Sequence, residues 1–167
     1  ALRHHLGAPG APAPGLDAGR ADRADGGVDA APAAPAPTEW IRIVHFQRRI
    51  RSAALALGPP DERCAVVPPR GTITLELAAG TRIVSDGGPG PDVFVQLDDA
   101  RSGPYRADVG VERNRFTTVG SELVGSLPLD ADQFGIRQIR YVRIKNRGDE
   151  NVYLDAVGAY RTALLPL

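Results

Sequence analysis

The chain has 167 residues, enough for one ordinary domain with a tail. Its 20 basic and 20 acidic residues cancel to a net charge of +0, so no global field draws it to nucleic acid or to an anionic membrane. Cys64 is the single cysteine, which excludes an intramolecular disulfide and a CxxC metal site, and no apolar run approaches the ~18 residues of a membrane span.

Residues 1–38 differ in kind from the rest. They hold no aromatic residue and carry Pro9, Pro12, Pro14, Pro32, Pro35 and Pro37 among alanine, glycine and aspartate. Such a segment buries too little apolar surface to offset an ordering entropy of roughly 1–2 kcal/mol per residue. It reads as an extended, partly polyproline-II arm that orders only against an external surface. Methionine is absent even at position 1, which is expected of a processed or trimmed start.

Residues 39–167 read as the folded domain. Trp40-Ile41-Arg42-Ile43-Val44-His45-Phe46 is β-branched and aromatic, the composition of a first strand. A short turn at Arg51–Leu57, the loop Leu57-Gly58-Pro59-Pro60-Asp61 and a short strand at Ala65–Val67 follow. Thr72–Leu77 alternates polar with apolar residues, as a strand with one wet face does. After the turn-dense Ser85–Asp92 come strands at Val93–Leu97, Tyr105–Val111 and Phe116–Val119, then at Gln138–Lys145, Val152–Ala156 and Gly158–Arg161. Within Tyr105–Val111, Tyr105, Ala107, Val109 and Val111 share a face opposite Arg106, Asp108 and Gly110. Helical periodicity is weak throughout. Many short strands punctuated by glycine and proline predict an all-β sandwich, with Trp40, Ile43, Phe94, Tyr141, Val142 and Val157 in its core.

Catalytic patterns are thin. His4, His5 and His45 have no metal-ligand spacing with one another or with Cys64, which reads as a buried, inert thiol. Ser102, Ser121 and Ser126 lack a GxSxG context, and there is no phosphate loop or dinucleotide fingerprint. Asp98-Asp99 reads as a turn, because neighbouring strand residues face opposite ways. Arg48, Arg49 and Arg51 form one basic cluster, and Arg137, Arg140, Arg143 and Arg147 another. With only Tyr141 interleaved they read as solvated faces or as the rim of a protein contact, and not as a nucleic-acid site.

Several motifs resemble those of a bacterial exported domain family with a discoidin-like, or galactose-binding-like, jelly-roll fold. Leu57-Gly58-Pro59-Pro60-Asp61 is similar to its LGxPD loop, and Gly71–Leu77 to its GGSITLxF strand. Asp86–Val95 resembles the DGxGPDFxVFE segment, and Tyr105–Gly120 the YxVEVSxDGxxFxxVG hairpin. Arg140–Lys145 resembles RYVRIxD, and Tyr153–Ala159 resembles DLDAVxA. The likeness runs in order over about residues 40–161, with Leu97 in place of the usual glutamate and Gly110-Val111-Glu112-Arg113 in place of the Ser-x-Asp-Gly turn.

The resemblance implies an antiparallel jelly-roll sandwich, export to the periplasm or cell surface, and a structural calcium held by Asp61 and Asp155, which the family pairs. Asp86 and Asp92 are further loop carboxylates. For all four, the competing reading is a carboxylate that caps its own turn. The expected function is non-catalytic: an accessory or structural protein that docks onto protein subunits of a larger assembly through its arm and one sandwich face. The alternative is a carbohydrate-binding module, for which Tyr105 and Phe134 are the candidate loop aromatics.

Overall fold

A computed structural model describes residues 35–164, so all but the last four residues of the expected arm lie outside the described residues, as do His4 and His5. The β-branched and alternating segments form thirteen strands: β1 Glu39–Trp40, β2 Ile43–Arg48, β3 Ala65–Val67, β4 Thr72–Glu76, β5 Thr81–Val84, β6 Val93–Leu97 and β7 Tyr105–Glu112. They continue as β8 Arg115–Leu123, β9 Leu127–Leu129, β10 Gln138–Ile139, β11 Tyr141–Asn146, β12 Val152–Ala159 and β13 Thr162–Leu164. The Arg51–Leu57 turn is a 3-10 turn over Ala53–Ala56. No helix among the described residues is long and apolar enough to cross a membrane.

The fold is an antiparallel β-sandwich. One sheet runs β1-β12-β6-β9 with β3 also on β12, the second runs β2-β4-β11-β7-β8, and three short strands add β10-β5-β13. Apart from the β7–β8 hairpin, every pairing joins strands that are not consecutive in the chain. The inward residues interdigitate between the sheets: Val95, Leu154 and Val157 from the first, and Ile73, Leu75, Val109, Val142 and Ile144 from the second, all fully buried. Each such side chain contributes about 1.5–3 kcal/mol on leaving water.

Four residues expected in the core lie elsewhere: Trp40, Ile43 and Phe94 keep part of their surface exposed, and Tyr141 is buried on the outward face of its sheet, while Val142 and Val157 are buried in the core as expected. The stretch read as one strand breaks at Ile41–Arg42, so β1 joins β12 while β2 joins β4 in the facing sheet. Ile41 becomes the buried residue, and Ile43, opposite Glu76 on the outward face, is 38% exposed. Trp40 and Phe94 are only half-buried because both align with Gly158, one on each side, on the face opposite to inward Val93 and Val95. Val111, expected to share the inward face of β7, is exposed at its end. The sequence pattern missed β5, β9 and β13. It also divided β12, which in fact runs unbroken through Gly158.

Gly158 is required for close approach. A Cβ there would lie 2.6 Å from Pro37 Cβ and 2.9 Å from Trp40 Cζ3, where the chain enters the sandwich. The entry is fixed by Thr38, whose N–H donates to Ala159 O at 2.8 Å and whose hydroxyl donates to Tyr160 O at 2.9 Å. Gly158→Ala is therefore expected to destabilise the domain by about 1–3 kcal/mol through overpacking. Urea unfolding checks this, with a lower midpoint at an unchanged slope.

Candidate functional site

The outward face of the sheet β2-β4-β11-β7-β8 carries three cross-strand rows. Strand register sets Arg48, Thr72, Lys145 and Arg106 in one row. The middle row is Phe46, Thr74, Arg143, Asp108 and Thr118, and the third is Ile43, Glu76, Tyr141 and Gly110. A β-bulge between Val44 and Phe46 inserts His45, so His45 and Phe46 both line the same groove instead of alternating.

Asp108 anchors the middle row. Although it belongs to the outward face, it is fully buried, roofed by the long side chains of its neighbours. Arg106 Nε donates to Oδ1 at 2.6 Å and Arg143 Nε to Oδ2 at 2.8 Å, while the Thr118 hydroxyl donates to Oδ1 at 2.9 Å. Lys145 Nζ stands 3.7 Å from Oδ2. Burial alone would push this carboxyl up, but the hydrogen bonds of Arg106, Arg143 and Thr118 outweigh it and hold Asp108 below the ordinary value. Arg143 in turn lies over the Phe116 ring, 3.8 Å from its centroid.

A second network fixes the third row. Glu76 accepts from Arg140 Nη2 at 2.6 Å and meets His45 Nδ1 at 3.0 Å. Burial raises its carboxyl, and Arg140 with His45 lowers it further than burial raises it. The His45 ring packs on Tyr141 at 4.9 Å between centroids. Of the second arginine cluster of the sequence, Arg140 and Arg143 are thus each engaged by a carboxylate, while Arg137 and Arg147 form no ion pair among the described residues.

Above these rows lies an open groove of about 720 Å³, with Phe46 51% exposed at its edge and Arg113 on the β7–β8 turn. A second hollow of about 480 Å³ shares Arg48, Thr72 and Lys145 with it and adds Arg70 and Arg147. Arg70 is held at φ 63°, a left-handed conformation that favours glycine, in a tight turn closed by Gly71 N–H to Pro68 O at 2.7 Å. Arg48, Arg70, Arg113 and Arg147 form no ion pair among the described residues. The groove can thus present cations, two threonine hydroxyls and an aromatic ring to a ligand. Sequence alternation missed Phe46, because nothing in it announced the bulge.

The other candidate residues have local partners. Asp155 is the extra residue of a bulge in β12, and its carboxylate accepts the N–H of Asp61 at 3.1 Å and of Glu62 at 3.2 Å. The two aspartates implied as calcium ligands are thus brought together. However, amide N–H groups point at the carboxylate where calcium would require converging oxygens, so these residues do not fit the ion. Asp86 accepts Gly88 N–H at 2.9 Å and pairs with Arg161 at 2.8 Å. Buried Asp92 accepts Ala131 N–H at 2.8 Å, and burial together with nearby Asp132 and Asp130 raises its carboxyl. Asp99 caps Ser126 through N–H and hydroxyl, both at 2.7 Å, in the expected turn. Cys64 is half-buried and not buried outright, and its thiol is pushed up by burial and by Asp155 and Asp98. Tyr105 is fully buried, its hydroxyl donating to Gly125 O at 3.2 Å, so it is no sugar platform; Phe134 is exposed.

No protein-family model matches this chain, and no curated protein matches it.

Two outcomes follow from these contacts. Asp108→Ala is expected to cost about 3 kcal/mol, since it leaves three clustered cations without their buried partner. The folded carboxyl sits below its ordinary 3.8, so this contribution is complete above that value and is lost as pH falls through the depressed one. Chemical denaturation across pH should show the gap between wild type and variant closing in acid. For Asp155→Ala, melting should fall equally with added calcium and with chelator, because amide hydrogen bonds and not an ion join the two loops.

Proposed function

We propose that this chain is a non-catalytic, exported accessory protein that docks its partner on the outward face of the sheet β2-β4-β11-β7-β8. The observation that carries the reading is the cationic groove, where exposed Phe46 stands beside arginines that have no ion-pair partner among the described residues. No other described element covers it. Exposed aromatic and arginine side chains over a rigid floor are what binding hot spots are made of.

Chemistry is poorly provided for. Both carboxylates of the face, Asp108 and Glu76, are neutralised by arginine, and the Nε2 of His45 bonds to no described residue. A nucleophile beside a base would be the minimum for covalent catalysis, and the raised thiol of Cys64 suits that role badly. Export rests on the family resemblance of the loops and strands.

The test is co-sedimentation of the purified chain with cell-envelope fragments of the producing cells. Wild type should sediment with them and be released by salt at about 0.5 M, where surface charge is screened within ~4 Å. The Arg48→Glu/Lys145→Glu variant should stay in the supernatant. Equal sedimentation of the two would remove this face from the docking surface.

A further inference from the structure

We infer that the occupant of this groove is a carboxylated polysaccharide, a polyuronate chain lying across the sheet with sugar faces on Phe46 and carboxylates on the Arg48–Lys145 row. The inference rests on the docking reading above and narrows it to one ligand chemistry.

Charge comes first. The chain is neutral overall, yet Arg48, Arg70, Arg113, Arg143, Lys145 and Arg147 line the two joined hollows, against a single lining acid, Glu76. Glu76 is already bound to Arg140, and buried Asp108 beneath the groove answers only part of the remaining charge. Lys145 and Arg106 stand directly opposite one another on adjacent strands, an arrangement of like charges that disfavours the sheet. A bound anion at this row relieves that repulsion.

The floor between the edge strands then offers side chains in place of main chain. The main-chain groups of β4 and β11 are consumed in ladders with neighbours on both sides, so the middle of the sheet offers no backbone partner to an incoming strand. What it offers is side chains: the Thr72 and Thr74 hydroxyls, the cations and one ring. A uronate polymer is recognised through such groups alone, by its hydroxyls, its carboxylates and its apolar ring faces. Phe46 has no aromatic or cationic partner among the described residues, so its face is open, whereas the Phe116 ring is already covered by Arg143. The groove is open and its second hollow extends it, which suits a chain better than a single sugar.

The experiment is titration calorimetry of the full chain with polygalacturonate, with its carboxyl-reduced neutral counterpart, and with poly-glutamate of matched length. Polygalacturonate should bind, and the neutral polymer should not. Phe46→Ala, which removes an exposed ring and leaves every charge in place, should weaken polygalacturonate by about tenfold. Arg48→Gln/Lys145→Gln should weaken it at least as much, and thermal melts of each variant confirm the fold. Failure of polygalacturonate to bind overturns the inference. So does equal binding of poly-glutamate with no effect of Phe46→Ala, which would make the face a site for acidic peptide. In either of those cases, co-sedimentation lost in the Arg48→Glu/Lys145→Glu variant would leave the docking reading standing.

Discussion

Asp108 is a carboxylate on the outward side of a sheet, yet no water reaches it. It remains charged because Arg106, Arg143 and Thr118 supply the hydrogen bonds that water would have supplied. Those partners come from its own strand β7 and from β11 and β8, so the anion pins three strands together from outside the hydrophobic core. It also aims the groove: Arg143 is held between Asp108 and the Phe116 ring, and Lys145 is kept within reach of the same oxygen. Without the carboxylate, the like charges of adjacent strands would splay into solvent and the groove would lose its defined floor.

Two bulges perform the other placements. In β2 the extra residue, His45, reaches Glu76 while Phe46 still faces the groove, so one strand lends two consecutive side chains to one face. In β12 the extra residue is Asp155, which stays buried while bonding to the amides of the Asp61–Glu62 loop. In both strands the period of two is broken at a residue whose polar group is satisfied outside the ladder. The same break makes such residues hard to find from alternation.

The distribution of charge matters more than its total. Equal numbers of acids and bases give a neutral chain, but cations gather along the groove, while Glu62, Asp98, Asp99 and Asp155 gather around Cys64. Asp92, Asp130 and Asp132 form a second acidic locality in which burial raises one carboxyl and main-chain or side-chain donors hold the others. Neutrality excludes a global field and leaves local fields of either sign open.

By itself the sequence determined the class of fold and most of its strands. The alternation in Thr72–Glu76, the β-branched runs of β6 and β11, and glycine and proline in the turns are local properties that neighbours along the chain already reveal. Short strands without such a pattern, β5, β9 and β13, did not show themselves, and Gly158 looked like a break when it is a point of close packing. Which residues form the site was decided only by tertiary structure. Phe46, Lys145 and Arg113 are far apart in the chain and meet because β2, β11 and the β7–β8 turn belong to one sheet. Asp108 reads as an ordinary wet-face residue in sequence, and its burial depends on partners 10 and 35 residues away. Local pattern reports which way a side chain points; only the assembled sheet determines what it meets there.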